Sequence, residues 1–184
     1  MRIIAGRHRG RPLHTPRGRD TRPTPDRVRE SLFAMLDGLD ALAGARVLDL
    51  FAGSGSLGLE ALSRGAAKAY FIDENKAAFE TVKENLKLTK LFDDAVVLNA
   101  DAFTYMRNTQ EKFDIVFLDP PYRKELVANA LPVAARCCKP GALVVCETDA
   151  REELPETAGT LTKFREYKYS KTKLTTYRNQ EETL

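Results

Sequence analysis

No apolar run in this chain approaches the roughly 18 residues that a membrane-crossing helix needs, so no membrane partner is expected. The opening Met1-Arg-Ile-Ile-Ala5 also lacks the apolar stretch of a secretion signal. Cysteine is scarce: Cys137, Cys138 and Cys146 comprise an adjacent pair, which rarely bridges, and an odd one. No CxxC spacing or His/Cys cluster accompanies them, which argues against a disulfide scaffold and a metal site. Reduced, structural thiols in a cytoplasmic protein are the expectation. Internal repeats and low-complexity tracts are missing as well. What remains is an ordinary globular composition: 184 residues, 43% hydrophobic and 30% charged, enough for one domain with a sizeable core.

Net charge is only +3, but it is unevenly spread. Residues 1–30 hold nine arginines against Asp20, Asp26 and Glu30, a balance of +6, which leaves the other 154 residues at −3. A second basic stretch, Lys163 to Arg178, carries six Lys/Arg against Glu166 alone. An Arg-rich arm on a near-neutral body points to a polyanionic partner, because guanidinium groups pair bidentately with phosphate. The competing reading is a solvated charged tail.

The arm occupies residues 1–25, where Arg2–Ala5 and Arg11–His14 are predicted to form a short hairpin around Gly6–Gly10. Thr24-Pro25-Asp26 reads as a helix start, with Val28, Leu32, Met35, Leu36 and Leu39 at core spacing. From Ala45 onward strand and helix patterns alternate. Strands are predicted at 46–51, 69–72, 95–98, 113–118 and 142–146. Helices are predicted at 56–64, 75–88, 102–108 and 125–137. Lys139-Pro-Gly141 reads as a turn before the fifth strand, and the runs 164–169 and 173–177 as a closing hairpin. Repeated βα units imply a doubly wound α/β domain. Its sheet is expected to be seven-stranded and mostly parallel, with an antiparallel C-terminal hairpin and a basic N-terminal hairpin arm. One domain over 1–184 is expected, with its core from residue 26.

Asp49-Leu-Phe-Ala-Gly53-Ser-Gly55-Ser-Leu-Gly58 lies between the first strand and its helix, where glycines let a ligand approach the backbone. Gly53-x-Gly55-x-x-Gly58 has dinucleotide spacing, which alone is weak evidence. Asp49 shifts the reading, since a carboxylate there repels a pyrophosphate and favours a cationic amine. S-adenosylmethionine carries a positive amino-acid end and no phosphate. Asp73, ending the second strand, is placed for ribose hydroxyls, and Asp101, after the third, for an adenine amine. Each also suits a helix N-cap. The fourth strand runs into Asp119-Pro120-Pro121-Tyr122. Its prolines stop strand pairing and fix a stiff turn. A carboxylate beside a ring there suits a planar, amine-bearing substrate, the alternative being an ordinary turn with a packed tyrosine.

With these residues the sequence resembles the class I S-adenosylmethionine-dependent methyltransferases, in which Asp-Pro-Pro-Tyr marks enzymes acting on exocyclic amines. Arg22-Pro-Thr-Pro-Asp-Arg-Val-Arg-Glu-Ser-Leu-Phe33, the loop from Asp49 to Glu60, Ser63-Arg-Gly-Ala66 and the closing Lys-Leu-Thr run resemble the bacterial RsmD family. Ser170 departs from the glycine expected in the final hairpin. The resemblance covers nearly the whole chain. It implies N2 methylation of one guanine in 16S rRNA, within an assembled or partly assembled small ribosomal subunit, by a monomer. It places Asp49, Gly53 and Gly55 at the methionine end of the cofactor, with Phe51 in the same loop, Asp73 on the ribose and Asp101 with Ala102 at the adenine. Thr21 and Thr24 border the methionine moiety. Asp119, which also borders the cofactor, and the Pro120 carbonyl accept from the guanine amine while Tyr122 stacks on the ring. Arg7, Arg9, Arg11 and Arg22 are the implied RNA contacts, and His8 and His14 lie among them.

Three other readings compete. A DNA adenine-N6 methyltransferase uses the same turn, but usually with a sizeable recognition insert for which this chain has no room. A protein-glutamine methyltransferase typically has Asn at the position of Asp119. A non-catalytic RNA-binding or assembly factor could keep the fold, although the acids at 49, 73 and 119 argue against decay.

Overall fold

The computed structural model describes residues 1–16, 25–121 and 125–180. In chain order its elements are α1 (Asp26–Gly38), β1 (Arg46–Leu50), α2 (Ser56–Ser63), β2 (Lys68–Asp73), α3 (Lys76–Thr89), β3 (Ala95–Asn99), α4 (Ala102–Asn108), β4 (Phe113–Leu118), α5 (Leu126–Ala135), β5 (Cys138–Asp149), β6 (Thr157–Ala158), β7 (Leu161–Lys168) and β8 (Thr172–Asn179). One eight-stranded sheet runs β3-β2-β1-β4-β5-β8-β7-β6. β1 to β5 pair in parallel, and β5 pairs antiparallel with β8. The expected doubly wound α/β fold and the closing antiparallel hairpin are present.

The core lies on both faces of the sheet because strand side chains alternate. Val47, Phe71, Ile115 and Val145 pack beneath α1, α2 and α3 with Leu36, Leu62 and Leu86. Leu48, Ile72, Val116 and Val144 pack beneath α4 and α5 with Met106, Ala130 and Leu131. Cys137, Cys138 and Cys146 are buried and unbridged in the second layer. No helix among the described residues is long and apolar enough to cross a membrane.

Other element ends shift by one to three residues, and two larger differences from the sequence reading stand out. β5 begins at Cys138, so Lys139-Pro140-Gly141 lies inside it rather than before it. Cys138 already pairs with Phe113, and the irregularity is absorbed as a register shift between Phe113 and Ile115. β6 is a further strand, two residues long and paired only with β7, which makes the sheet eight-stranded rather than seven-stranded.

The N-terminal arm turns back as expected, through one antiparallel bridge, Arg2 to Pro12. Ile3 N–H donates to the Arg11 carbonyl at 3.0 Å and Gly10 N–H to the Ile3 carbonyl at 2.8 Å. Buried polar side chains then tie the arm to the body. Glu60 accepts from the amides of Ile4 at 2.7 Å and Ala5 at 3.0 Å. Ser63 receives the amides of Arg7 and His8, and its hydroxyl donates to the Ala5 carbonyl. At Gly6, with φ +82°, a Cβ would lie 2.0 Å from the Ser63 carbonyl oxygen, so the arm meets α2 backbone to backbone.

Candidate active site

β1, β2 and β3 step outward to one side, and the chain then crosses back to place β4 on the other side of β1. The crevice beyond the carboxyl ends of β1 and β4 is therefore the topological switch point, where open α/β sheets bind ligands. Leu50 pairs with Leu118, so Phe51 and Asp119 are the first residues beyond the strands on its two sides.

After β1 the chain bends sharply. Phe51 adopts φ 61°, a left-handed conformation unfavourable for an aromatic residue, and Gly53 (φ 57°) and Gly55 (φ 76°) follow. A Cβ on Gly53 would meet nothing nearer than the Phe51 carbonyl at 4.0 Å, which leaves the front of this turn open to a ligand. Gly58 has the opposite constraint, since a Cβ there would lie 2.3 Å from the Phe71 ring. It lets α2 sit directly on β2.

Asp49 lies beneath this turn, 2% exposed, with Oδ2 accepting the Gly58 N–H at 3.0 Å. Burial pushes its carboxyl up to about 8; the Gly58 N–H pulls it down and the charge of Asp73 pushes it up. No ion pair to Asp49 is found among the described residues. Asp73 braces the turn from β2, accepting Gly53 N–H through Oδ2 at 2.9 Å and Asn75 N–H through Oδ1 at 2.8 Å. Asn75, not Asp73, caps α3. Asn99 closes the corner by donating to the carbonyls of Asp73 and Glu74, both at 2.9 Å.

Asp101 caps α4: Oδ1 accepts the Thr104 N–H at 2.8 Å and its hydroxyl at 2.7 Å. The hydroxyl, then the N–H, hold its carboxyl below the usual range. Ala102 is the buried first residue of that helix. Across the crevice Asp119 is half-buried, Pro120 buried and Pro121 exposed. Along the sheet edge the acids thus follow the order Asp101, Asp73, Asp49, Asp119. Thr21, Arg22, Thr24 and Tyr122 lie outside the described residues.

Arg7, Arg9 and Arg11 are exposed on the arm, and Arg11 Nη1 donates to the Leu88 carbonyl at 2.9 Å. The sequence reading missed Asn85, which is fully buried. Its Nδ2 donates to the carbonyls of His14 and Ser54, and its Oδ1 accepts the His14 N–H. It therefore joins the arm to the glycine turn. The available signal was an amide on the α3 face shared by Ala78, Val82 and Leu86.

These features fit S-adenosylmethionine better than a dinucleotide. Among the described residues no cation pairs with the buried Asp49, which leaves its carboxylate open to compensation by a ligand ammonium group, whereas a pyrophosphate would face both Asp49 and Asp73. A turn of this kind at the switch point of this sheet defines a class I S-adenosylmethionine-dependent methyltransferase.

Comparison with known proteins narrows the class. The family model described as "Conserved hypothetical protein 95" matches residues 1–178. "Ribosomal RNA small subunit methyltransferase D" of Haemophilus influenzae is 40% identical over 159 residues, covering 84% of this chain and 81% of that protein. The solved structure of yhhF from Escherichia coli is similar with a TM-score of 0.85 at 34% identity, covering 99% of both chains. The Thermus thermophilus 16S rRNA N2 G1207 methyltransferase RsmC, solved with AdoMet and guanosine, shares the fold. Its TM-score is 0.69 at 23% identity, with 86% of this chain and 44% of that one covered. The chain belongs to the RsmD family of methyltransferases.

Proposed function

We propose that this protein methylates the exocyclic N2 amine of one guanine in 16S rRNA, as a monomeric, single-domain enzyme of the cytoplasm acting on an assembled or partly assembled small subunit. The observation that carries this reading is Asp119-Pro120 at the switch point, directly across from the glycine turn and the buried Asp49.

When bound, S-adenosylmethionine supplies a methyl group made electrophilic by its sulfonium. Asp49 and the turn at Gly53 and Gly55 hold its amino-acid end, with Phe51, Thr21 and Thr24 alongside. Asp73 receives the ribose, and the segment Asp101–Ala102 borders the adenine. A guanine amine is a poor nucleophile because its lone pair is delocalised into the ring. Asp119 and the Pro120 carbonyl accept its N–H bonds, which favours a pyramidal nitrogen and stabilises the positive charge that develops on it. Tyr122 stacks on the base, which must leave its helix to enter the pocket. Holding the amine in line supplies much of the remaining acceleration. Arg7, Arg9, Arg11 and Arg22 contact RNA phosphates.

Asp119→Ala tests the reading. Affinity for S-adenosylhomocysteine is expected to persist, while single-turnover transfer to under-methylated small subunits falls on the order of 10²–10³-fold, the usual cost of losing one charge-stabilising group. Near-normal single turnover would remove the carboxylate from the mechanism.

A further inference from the structure

The second basic stretch divides into charges with partners and charges without. Lys163 pairs with Glu156 and Glu166, and the buried Lys173 with Glu153 and Glu166. Arg165 and Arg178 both lie against the Phe164 ring, at 4.8 and 4.2 Å from its centroid. Lys168, the last residue of β7, and Lys171, in the turn before β8, are exposed and form no ion pair among the described residues. They line a groove of about 390 Å³ together with Arg27, Pro25, Tyr169 and Thr172. Among the described residues no acid lines it. Its wall is held in place, because the Tyr169 hydroxyl and Ser31 Oγ on α1 are 2.6 Å apart.

The sheet register fixes where this groove stands. β5 pairs with β4 through Cys146 and Leu118, and with β8 through Asp149 and Thr172. The Tyr169–Lys171 turn therefore projects from the same sheet edge as Asp119. It lies two strand spacings away, about 10 Å across the sheet. The first turn of α1, which follows the arm, forms its other side.

We infer that Arg27, Lys168 and Lys171 form a subsite for the backbone phosphates of the RNA strand flanking the target guanine. The inference rests on the rRNA reading of the active site. Three cations with no opposing acid among the described residues match a polyanion, and a phosphate contact positions a strand without reading its bases. The groove lies on the other side of β4 from the glycine turn, so a strand held there delivers its base to Asp119 from the side away from the cofactor loop. These are positioning residues: they set where the RNA lies and take no part in the transfer.

The test compares Lys168→Gln/Lys171→Gln with Lys112→Gln/Arg136→Gln, a double of equal charge loss in a groove at the opposite sheet edge. Both are assayed on under-methylated small subunits across a salt series. The groove double should raise KM about tenfold or more and leave kcat at saturation within about twofold. The slope of log affinity against log salt should fall by about 1.4, at about 0.7 for each single-strand phosphate no longer neutralised. The opposite-edge double should match the wild type. Equal KM and equal salt slope for the two doubles would overturn the subsite. Failure of the rRNA reading would show separately, as a wild-type protein that transfers no methyl to guanine.

Discussion

With Asp49 in its proposed place at the cofactor's ammonium end, cofactor binding should depend on pH, and the magnitude follows from the burial of this carboxyl. The carboxyl is 2% exposed and titrates near pH 8 without ligand, mainly because its charged form is desolvated. A ligand ammonium nearby favours the charged form, so binding must expel the proton wherever the free protein holds it. If the bound carboxylate stays ionised down to pH 6, affinity falls about fifty-fold between pH 8 and pH 6. That corresponds to about 2.3 kcal/mol. Titration calorimetry with S-adenosylhomocysteine in two buffers of different ionisation enthalpy reads both the affinity and the released proton. Asp49→Asn should abolish the dependence and weaken binding at pH 8. The sign for stability without ligand is opposite to that of an ordinary salt-bridged acid. A carboxyl raised in the folded state contributes stability that is full below its unfolded value, near 4, and is lost as pH rises through about 8. The melting temperature of the ligand-free protein should therefore decline over that window, and less so in Asp49→Asn. A flat affinity between pH 6 and 8 would refute the link between this carboxyl and the ligand.

Three further outcomes are expected. Glu60→Ala strips the acceptor from the amides of Ile4 and Ala5 and from Arg64 Nε, and should cost on the order of 2–4 kcal/mol in chemical denaturation. Hydrogen exchange should show loss of protection at Ile4 and Ala5; retained protection would mean that the arm is held by other contacts. Gly58→Ala pushes a methyl group into the buried Phe71 ring and should cost about 1–3 kcal/mol with weaker cofactor binding, read by thermal melting with and without S-adenosylhomocysteine. Changing Arg7, Arg9 and Arg11 to Gln should weaken binding of small subunits most at low salt; unchanged low-salt affinity would assign the arm another role.

Most of the sheet was legible because its central strands are continuous apolar runs bounded by turn residues, as at Phe113–Leu118, where both ends agree with the structure. The start of β5 was not, because Lys139-Pro140-Gly141 has turn chemistry whether it precedes a strand or bends one. The two residues of β6 are too few to show a period. At the site, the row of acids was visible as one acid at each strand end. The division of labour among them was not: Asp101 and Asp73 both precede helices, yet Asp101 caps its helix, while Asn75 caps α3 and frees Asp73 to brace the turn. The clamp that orders residues 1–16 was hidden by distance along the chain. Glu60 and Asn85 meet partners 55 to 71 residues away, and a polar residue on a helix ordinarily reads as a solvated one. A lone acid in the otherwise apolar α2, Ser-Leu-Gly-Leu-Glu60-Ala-Leu-Ser, was the trace left in the sequence.

The most direct measurement offers labelled S-adenosylmethionine to under-methylated small subunits, naked 16S rRNA and DNA, and maps the labelled product by mass spectrometry of the digest. A single methylated site in 16S rRNA, on the N2 amine of a guanine and dependent on Asp119, is the expected result. Label on adenine, on DNA or on protein would contradict the assignment of Asp119-Pro120 to a guanine amine.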